Sequence, residues 1–373
     1  MKFHVKTTDF EKAISSVEGV VTVREVKSAL SNIKIEAEDS KVYLSATDLE
    51  ISIKTSIQAN VVQNGIGSIP AKKLSSIIKT IDFNDTSIES IKDGEGGDRT
   101  VITDAEGKKN FNMSISGIDS EDIQTIPKID SKDTFDIPCT TFSEMIKKTY
   151  YSVAQEDTRF VFNGLYVVTD DTKIIIVGTD GRRLTKVERE INNHLPFEKG
   201  VIIPHKAIKE ILRIIDSNDS GTVAIINNQI YVKVKEVELL CKLIDGNYPD
   251  YEAVIPKDSS NKVKIPKDRF AIVLRQALIA AEEPSKQVRL EFSSDNLTLS
   301  SATPGTTEAS ISIPIEYSGE EVKIAFKGEY LSDIVKSIHD NEIVMEFKTS
   351  SSPVIFRDPS DLQYIAVVMP MKI

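Results

Sequence analysis

Apolar residues recur at helical spacing in three segments of the chain. The segments are 70–81, 204–215 and 327–338, and each has aliphatic residues at its fifth, eighth, ninth and twelfth positions. This 3-4 spacing places the aliphatic side chains on one stripe of a helix. Each segment also has a basic residue at the tenth position: Lys79, Arg213 and Lys336. The pattern therefore predicts the same amphipathic helix in three places.

A shorter apolar pattern precedes each of these helices. Phenylalanine is followed four residues later by an aliphatic residue in three pairs, which are Phe10 with Ile14, Phe142 with Ile146, and Phe270 with Leu274. Side chains at this spacing contact each other on a helix, so each pair predicts the start of a further helix. The phenylalanines lie 60, 62 and 57 residues before the start of the later helix. The near-constant offset indicates an internal repeat.

Between the two helices of each copy, apolar and polar residues alternate as in strands. The predicted strands are 32–37, 41–46 and 50–57 in the first copy, 173–178 and 184–190 in the second, and 297–300 and 309–313 in the third. Corresponding turns join them at Thr47-Asp48-Leu49, Thr179-Asp180-Gly181 and Thr303-Pro304-Gly305. The segment Gly94-Glu95-Gly96-Gly97 is expected to be a hairpin tip. Each copy is expected to close on a strand that ends in proline, at Pro127, Pro256 and Pro370.

The repeat predicts three domains of similar size, at 1–127, 128–256 and 257–373. The fold class is α+β. Each domain is expected to have two helices on one face of antiparallel sheets, because both helical stripes must be buried against a sheet.

Charge is distributed unevenly between these elements. The net charge is −11, which taken alone argues against nucleic acid as a partner. The six helical segments nevertheless carry +6 over 83 residues, and the remaining 290 residues carry −17. Such a distribution favours one basic face on an acidic body, which would attract phosphate without reading bases.

Motifs that would indicate an enzyme or a metal protein are absent from the sequence. There is no phosphate-binding Gly-x-x-x-x-Gly-Lys-Ser/Thr loop and no Gly-x-Ser-x-Gly elbow, and the four histidines have no ligand spacing, so neither a metal nor a cofactor is expected. Asp180 is interpreted as a turn residue. Cys139 and Cys241 predict two buried, reduced thiols. With no apolar leader and no apolar run of about 18 residues, the chain is expected to be cytoplasmic and not bound to a membrane.

Seven segments, in order along the chain, resemble the bacterial DNA sliding clamps, the beta subunits of DNA polymerase III. They are 1–3, Thr47-Asp48-Leu49-Glu50, 69–74, Phe162-Asn163-Gly164, 178–184, 243–251 and 367–373. The resemblance implies a non-catalytic, ring-shaped processivity factor, a homodimer arranged head to tail with helices lining the hole and sheets outside. It also implies that the ring encircles double-stranded DNA without sequence specificity.

The resemblance further implies a pocket between the second and third domains that binds short linear motifs. The expected partners are the polymerase III catalytic subunit, the clamp loader, other polymerases and repair proteins. The pocket residues at matching positions are Arg159, Phe162, Thr179, Gly181, Arg182, Arg183, Leu184, Pro249, Val254, Val367, Met369, Pro370 and Met371. Phe162 stands where many relatives have leucine, and Ala253 where many have arginine.

Two further sets of residues follow from the resemblance. Those that match or lie beside DNA-contacting positions are Arg24, Lys72, Lys73, Gln155, Lys206 and Lys209. Those at the dimer contact are Phe111, Met113, Ile279 and Ala280. A homodimer also agrees with size, because packed helices lie about 8–10 Å apart, so twelve helices but not six can surround a duplex roughly 20 Å thick.

Two other classes of protein stay open on the residues alone. A three-domain enzyme would need a convergent set of acid, base or nucleophile, which the sequence does not suggest. A repeat scaffold that binds only protein would fit the folds but would leave the basic helices unexplained.

Overall fold

A computed structural model describes residues 1–21, 29–93, 97–118, 126, 127, 129, 134–170, 172–191, 200–215 and 220–372. The chain forms two compact units. The first contains Met1–Ser143 and Lys206–Leu243, and the second contains Glu144–His205 and Ile244–Ile373. Each unit therefore combines one end copy of the repeat with part of the middle copy. The predicted domain boundaries at 127 and 256 remain predictions.

The described residues contain six α-helices, two in each copy of the repeat. They are α1 (Thr7–Val17), α2 (Ala71–Ile78), α3 (Cys139–Tyr150), α4 (His205–Ile214), α5 (Lys267–Ala280) and α6 (Gly328–Ser337). The three helices predicted from the aliphatic stripe are α2, α4 and α6, and each begins one residue inside its predicted segment. Pro70 and Pro204 directly precede α2 and α4, where the fixed φ of proline and its missing N–H suit a helix start.

Strands make up most of the remaining described structure. In chain order they are β1 (Lys2–Lys6), β2 (Asn32–Glu38), β3 (Lys41–Thr47), β4 (Ile51–Gln58), β5 (Asn60–Gln63), β6 (Gly65–Pro70), β7 (Asp85–Asp93), β8 (Gly97–Asp104), β9 (Asn112–Ser116), β10 (Thr134–Pro138), β11 (Gly164–Asp170), β12 (Lys173–Thr179), β13 (Arg183–Glu190), β14 (Val201–Pro204), β15 (Ser220–Ile226), β16 (Gln229–Val234), β17 (Val237–Lys242), β18 (Asn261–Pro266), β19 (Gln287–Ser293), β20 (Asn296–Thr303), β21 (Thr307–Pro314), β22 (Val322–Lys327), β23 (Glu342–Phe347), β24 (Val354–Asp358) and β25 (Asp361–Val368). All seven predicted strands are confirmed, with ends that differ by at most three residues.

Two antiparallel sheets form the first unit. One has the strand order β5-β1-β7-β8-β9, and the other β10-β15-β16-β17-β4-β3-β2-β6. The larger sheet crosses the repeat boundary, because β17 of the middle copy pairs with β4 of the first, Leu239 opposite Ile53. Helix α1 packs on β3 and β4 and against α2.

The second unit repeats this plan. Its sheets have the orders β14-β11-β12-β13-β25-β24-β23-β18 and β21-β20-β19-β22. Here β13 of the middle copy pairs with β25 of the last, and Leu184 lies opposite Val367. Helix α5 packs on β19, β20 and β21 and against α6. The predicted α+β class, with two helices and antiparallel sheets in each copy, is therefore confirmed.

The expected closing strand is wrong for the second copy. Its last strand, β17, ends at Lys242, and residues before Pro256 form a 3-10 turn at Glu252–Val254. In the last copy β25 ends at Val368, two residues before Pro370. In the first copy Pro127 lies in irregular chain, and the residues before Ile126 lie outside the described ones. The tip of the predicted hairpin, 94–96, also lies outside, although its flanks pair as expected, Asp93 opposite Gly97.

The predicted turns correspond in detail. Each has a residue in the left-handed region, with φ of 75° at Leu49, 82° at Gly181 and 72° at Gly305. In the first copy Asp48 Oδ1 accepts hydrogen bonds from the N–H groups of Glu50 and Ile51, at 3.0 and 2.7 Å. Glycine adopts this conformation without steric cost, whereas leucine does not. The first copy therefore holds a strained residue at a position where the other two have glycine.

Three further observations concern the expected site types. Cys139 and Cys241 are both buried thiols outside any disulfide bond, as predicted. The described residues contain no helix that is both long and apolar enough to cross a membrane. Among those residues, no three histidine, cysteine, aspartate or glutamate side chains gather as a metal site would require.

Candidate functional site

The turn between β12 and β13 forms one wall of a cavity in the second unit. Asp180 Oδ1 accepts hydrogen bonds from the N–H groups of Arg182 and Arg183, at 2.9 and 3.0 Å. Thr179 Oγ1 donates to the Arg183 carbonyl oxygen at 2.6 Å and accepts from the Gly181 N–H at 3.0 Å. Asp180 thus closes a turn, as its sequence context predicts.

The guanidinium of Arg183 is held on several sides by its own chain. Nε donates to Asp180 Oδ2 at 3.1 Å, Nη1 to Asp333 Oδ2 at 2.8 Å, and Nη2 to the Tyr151 carbonyl oxygen. The group also lies over the Tyr330 ring, 4.2 Å from its centroid. An arginine whose donors are satisfied in this way positions the turn and leaves little charge free for a ligand.

Arg159 lies beside this turn, and its Nη2 donates to the Asp180 carbonyl oxygen at 3.5 Å. Its Nε and Nη2 donate to the two carboxylate oxygens of Asp157, at 2.9 and 2.8 Å, and these hydrogen bonds lower the pKa of Asp157 to about 2. The guanidinium covers the Phe162 ring at 4.3 Å. A Cβ atom at Gly181 would lie only 3.0 Å from the guanidinium nitrogens. The absence of a side chain at residue 181 therefore makes room for Arg159.

Aliphatic and aromatic side chains form the floor of the cavity. Leu184 and Val367 are buried in one cluster that joins β13 to β25. Beside them Tyr248 stacks on Tyr166, with ring centroids 4.6 Å apart, and meets Phe162 edge to face at 6.3 Å. Burial raises the pKa of the Tyr248 hydroxyl, so this layer is uncharged at neutral pH.

The cavity has a volume of about 260 Å³. Eleven of the thirteen predicted pocket residues line it, namely Arg159, Phe162, Thr179, Gly181, Arg182, Arg183, Leu184, Pro249, Val254, Val367 and Met369. Sequence reasoning missed Asp250 and Tyr251 as lining residues, although both belong to the 243–251 segment that carries the family resemblance. Asp250 Oδ1 accepts hydrogen bonds from the N–H groups of Glu252 and Ala253, which shapes the segment that ends at Val254.

The other two predicted pocket residues, Pro370 and Met371, line a second cavity of about 500 Å³. The two cavities share Arg182 and Met369. The remaining residues around the second one are Pro284, Ser285, Lys327, Tyr330 and Lys372. Backbone hydrogen bonds hold the C-terminal segment there, from Met369 N to Arg182 O at 2.9 Å and from Met371 N to Ala325 O at 2.7 Å.

The residues predicted to contact DNA differ in their surroundings. Of these predicted residues, three lysines are exposed on the first unit and form no ion pair with another described residue. They are Lys72, Lys73 and Lys209. Lys206 is also on the surface, but its Nζ pairs with the buried carboxylate of Asp48. Gln155 is exposed in the second unit, and Arg24 lies outside the described residues.

The basic residue at the tenth position of each repeated helix is already engaged. Arg213 donates to the carbonyl oxygens of Ser15 and Ser16 at the end of α1, which satisfies that helix terminus. Lys79 and Lys336 each pair with a carboxylate, at 3.5 and 3.8 Å. These cations contribute to the positive charge of the helices but are positioned by the fold.

The residues predicted at the dimer contact are exposed to different degrees. Met113 is on β9, an edge strand of the first unit, and is 38% exposed. Ile279 is 79% exposed near the end of α5, the helix that packs on the edge strand β21. Phe111 is half-buried and packs edge to face on Phe83, at 5.4 Å. Ala280 is buried, so its side chain is already covered by its own unit.

Three family models match the chain in succession. The DNA polymerase III beta subunit N-terminal domain matches residues 1–127, its central domain matches 136–250, and its C-terminal domain matches 252–372. Together these matches cover nearly the whole chain.

Individual relatives align over the same length. The beta sliding clamp of Rickettsia bellii is 30% identical over 387 residues, and that of Chlamydia pneumoniae is 28% identical over 373, with at least 99% of each chain covered. Among solved structures, the DNA polymerase sliding clamp of Bacillus subtilis has a TM-score of 0.93 at 25% identity, covering 100% of this chain and 99% of that one. The Caulobacter crescentus polymerase III beta chain has a TM-score of 0.89 at 28% identity, covering both chains fully.

Proposed function

The chain belongs to the DNA polymerase III beta subunit family, the beta sliding clamps, and we infer that it is a non-catalytic processivity factor. In this role it forms a ring around duplex DNA and tethers a DNA polymerase to its template. The observation that carries this inference is the succession of three clamp domains over residues 1–372. A cytoplasmic location agrees with the role.

The two cavities of the second unit support a peptide-binding role. Together they offer an apolar floor, at Leu184 and Val367, and a flexible apolar side chain, Met369, between them. Clefts lined mainly by apolar side chains with a few fixed polar groups are typical ligand sites. Methionine adapts to different ligands, which suits a pocket that serves several partners. We propose that the polymerase III catalytic subunit, the clamp loader, other polymerases and repair proteins bind here through short linear motifs.

Assembly into a head-to-tail homodimer is supported by the sheet edges. Strand β9 ends the five-stranded sheet of the first unit, and β21 ends the four-stranded sheet of the second. An exposed sheet edge readily pairs with another strand. Exposed apolar side chains accompany both edges, Met113 on β9 and Ile279 near β21. Different surfaces, one on each unit, would close a two-membered ring through two equivalent contacts.

Sliding requires that the ring hold DNA by enclosure. Charge attraction alone gives dissociation constants of about 10⁻⁴–10⁻⁶ M at physiological salt, so a protein held only by charge is lost on dilution. A closed ring needs no such affinity and remains on circular DNA until it opens or the DNA is cut. The exposed lysines of α2 and α4 support attraction to phosphate without base readout.

The decisive experiment compares retention before and after a DNA circle is cut. The protein is loaded onto nicked circular DNA by a bacterial clamp loader with ATP, washed with high salt, and counted on the DNA. We expect retention on circles and release after a single cut, because the ring can then run off an end. Equal retention on circular and linear DNA would favour a scaffold with an ordinary binding surface. Deleting residues 369–373 should prevent loading while the dimer persists, which gives a control for dimer integrity.

A further inference from the structure

The sulfur-containing side chains exposed on this protein are methionines and not cysteines. Cys139 and Cys241 are buried, and burial raises the pKa of the Cys241 thiol to about 12. Peroxides react with thiolates, so a buried thiol that stays protonated is a poor target. The thioether of methionine needs no deprotonation, and peroxide is therefore expected to act on exposed methionine.

The six methionines of the chain differ in exposure. Three of them are buried in the core, namely Met1, Met145 and Met345. Met113 is exposed on β9, at the dimer contact proposed above, and Met371 is half-buried. Met369 is the most exposed of the six, at 44%. It lies outside the dimer contact proposed above, so its sulfur remains accessible in the assembled protein.

Met369 is shared by the two cavities of the second unit. The residue lines both of them, together with Arg182. Its N–H donates to the Arg182 carbonyl oxygen at 2.9 Å, so its backbone is held against the turn between β12 and β13. Leu184 and Val367 line the first cavity with it and belong to one buried apolar cluster. A peptide that occupies both cavities must cover residue 369.

Oxidation would convert this apolar side chain into a polar one. The lone pair of the sulfur forms the new S–O bond as the O–O bond of hydrogen peroxide breaks. One oxygen atom is transferred and the other leaves as water, so the sulfur loses the two electrons that the peroxide gains. The product is methionine sulfoxide, which is polar and chiral.

A sulfoxide at residue 369 would weaken peptide binding in either orientation. If its oxygen stays in the cavities, an apolar peptide covers a polar acceptor without supplying a donor, which is unfavourable. If the side chain turns out into water, the cavities lose the flexible apolar group that they share. Both orientations remove apolar contact at the point where the two cavities adjoin.

We propose that Met369 is a redox-sensitive residue whose oxidation to the sulfoxide by peroxide releases partner peptides, an inference that rests on the peptide-binding function proposed above. Reductases specific for methionine sulfoxide reverse the change, because two thiols remove the oxygen as water and form a disulfide. The protein thus loses its peptide partners in the presence of peroxide and regains them after reduction.

Peptide affinity before and after peroxide treatment tests this inference. A labelled apolar heptapeptide without methionine or cysteine is first selected from a displayed random library on the untreated full-length protein. The protein is then treated with hydrogen peroxide, desalted, and analysed by mass spectrometry of its proteolytic fragments. We expect oxygen on Met369 and an affinity roughly tenfold lower, the loss that an unpaired buried polar group usually causes. Methionine sulfoxide reductases with dithiothreitol should restore both the mass and the affinity.

Two variants assign the effect to one sulfur atom. Met369→Leu keeps an apolar side chain of similar volume but cannot be oxidised. Met113→Leu/Met371→Leu leaves Met369 as the exposed methionine. Because residues 369 and 371 line the cavities, each protein is compared with itself before treatment. We expect peroxide to change the affinity of Met369→Leu by less than about twofold, and to lower that of the double variant as much as that of the wild type.

The results distinguish failure of the redox role from failure of peptide binding. An oxidised Met369 with unchanged affinity, an equal loss of affinity in Met369→Leu, or oxidation that spares Met369 would each overturn the redox role alone. A loss of affinity that accompanies unfolding, seen by circular dichroism, would do the same. If no peptide binds the untreated protein, the peptide-binding function itself fails, and the redox role fails with it.

Discussion

The guanidinium carbon of Arg159 lies over the Phe162 ring, 4.3 Å from its centroid. Asp157 holds the guanidinium from the side through two hydrogen bonds, while the ring packs against Tyr248 below. A cation over an aromatic face is worth about 0.5–1 kcal/mol at an exposed site. The rim of the first cavity therefore depends on the aromatic ring at residue 162.

Replacing Phe162 by leucine tests this dependence. We expect Phe162→Leu to lower the free energy of unfolding by about 1–2 kcal/mol, because leucine cannot reproduce the packing of the ring and leaves a small void. It should also deepen the first cavity and shift its preference toward larger apolar side chains. Urea denaturation and peptide affinities measure the two effects. Phe160→Leu is the matched control, since Phe160 is 73% exposed and should change stability by less than about 0.5 kcal/mol. Equal effects at both positions would count against the stacked rim.

Two glycines in equivalent turns separate backbone strain from steric contact. Gly181→Ala and Gly305→Ala both place a Cβ in the left-handed region, which costs roughly 1–2 kcal/mol. Only the first also meets the Arg159 guanidinium, whereas nothing lies within 4 Å of a Cβ at residue 305. We expect Gly181→Ala to lower stability more than Gly305→Ala does. We also expect only Gly181→Ala to weaken peptide binding. Conversely, Leu49→Gly should relieve strain. Calorimetry on the three variants measures these changes in stability. A Gly181→Ala variant that is more stable than the wild type would contradict the strain and the steric contact described at Gly181.

Helix charge should control DNA association without affecting sequence preference. Lys72→Glu, Lys73→Glu and Lys209→Glu combined should weaken association and reduce its dependence on salt, by about 0.9 in the logarithmic slope for each phosphate that a lysine no longer neutralises. Lys206→Glu added to this set should have a smaller effect, because that amine already pairs with Asp48. Titrations of duplexes at several salt concentrations measure the slope. Lys233→Glu with Lys242→Glu, on strands β16 and β17, is the control and should leave the slope unchanged.

A cluster of charges should make the second unit sensitive to acid. Asp361 Oδ2 accepts from Arg189 at 2.6 Å and from Lys148 at 2.5 Å, and Lys148 is buried. Burial alone would raise the pKa of Asp361, but these two hydrogen bonds outweigh it and hold the pKa below the usual value near 3.8. The stabilisation is therefore complete above the unfolded value and is lost as pH falls below it through the lower folded pKa.

Asp361→Asn should lower the free energy of unfolding by about 3 kcal/mol at pH 7, because it removes one partner of a buried cation. The variant should also lose part of the decrease in stability that the wild type shows as pH falls below about 4. Urea denaturation between pH 7 and 2.5 measures both effects. Asp170→Asn, at an exposed carboxylate in the same unit, is the control. An unchanged pH profile in Asp361→Asn would contradict the role given to Asp361.

If the dimer contact lies where we propose, substitutions at two exposed isoleucines of helix α5 should differ in their effect on dimerisation. Ile279→Asp should shift sedimentation toward the monomer, because a charge would be buried at the contact. Ile272→Asp, also on α5 and 47% exposed, should leave the dimer intact. Neither should change the fold seen by circular dichroism. Loss of the dimer in both variants, or in neither, would place the contact elsewhere.

Local spacing along the chain determined the repeated elements. The aliphatic stripe predicted α2, α4 and α6 to within a few residues, because a helix brings residues three and four apart to one face regardless of distant contacts. The turn at Asp180 could also be predicted, since its hydrogen bonds reach only two and three residues along the chain. The pocket residues were named by resemblance, and Asp250 and Tyr251 were missed as lining residues.

Only the tertiary structure decided which strands join and which charges are free. The pairing of β17 with β4, and of β13 with β25, connects different copies of the repeat, and no local pattern encodes it. Arg182 and Arg183 are identical neighbours in the sequence. Arg183 donates hydrogen bonds to Asp180 and to Asp333, which lies 150 residues away, while Arg182 is exposed and lines both cavities. Asp333 belongs to the distant helix α6, so a tertiary contact, which no local pattern encodes, distinguishes the arginine that stabilises the fold from its exposed neighbour.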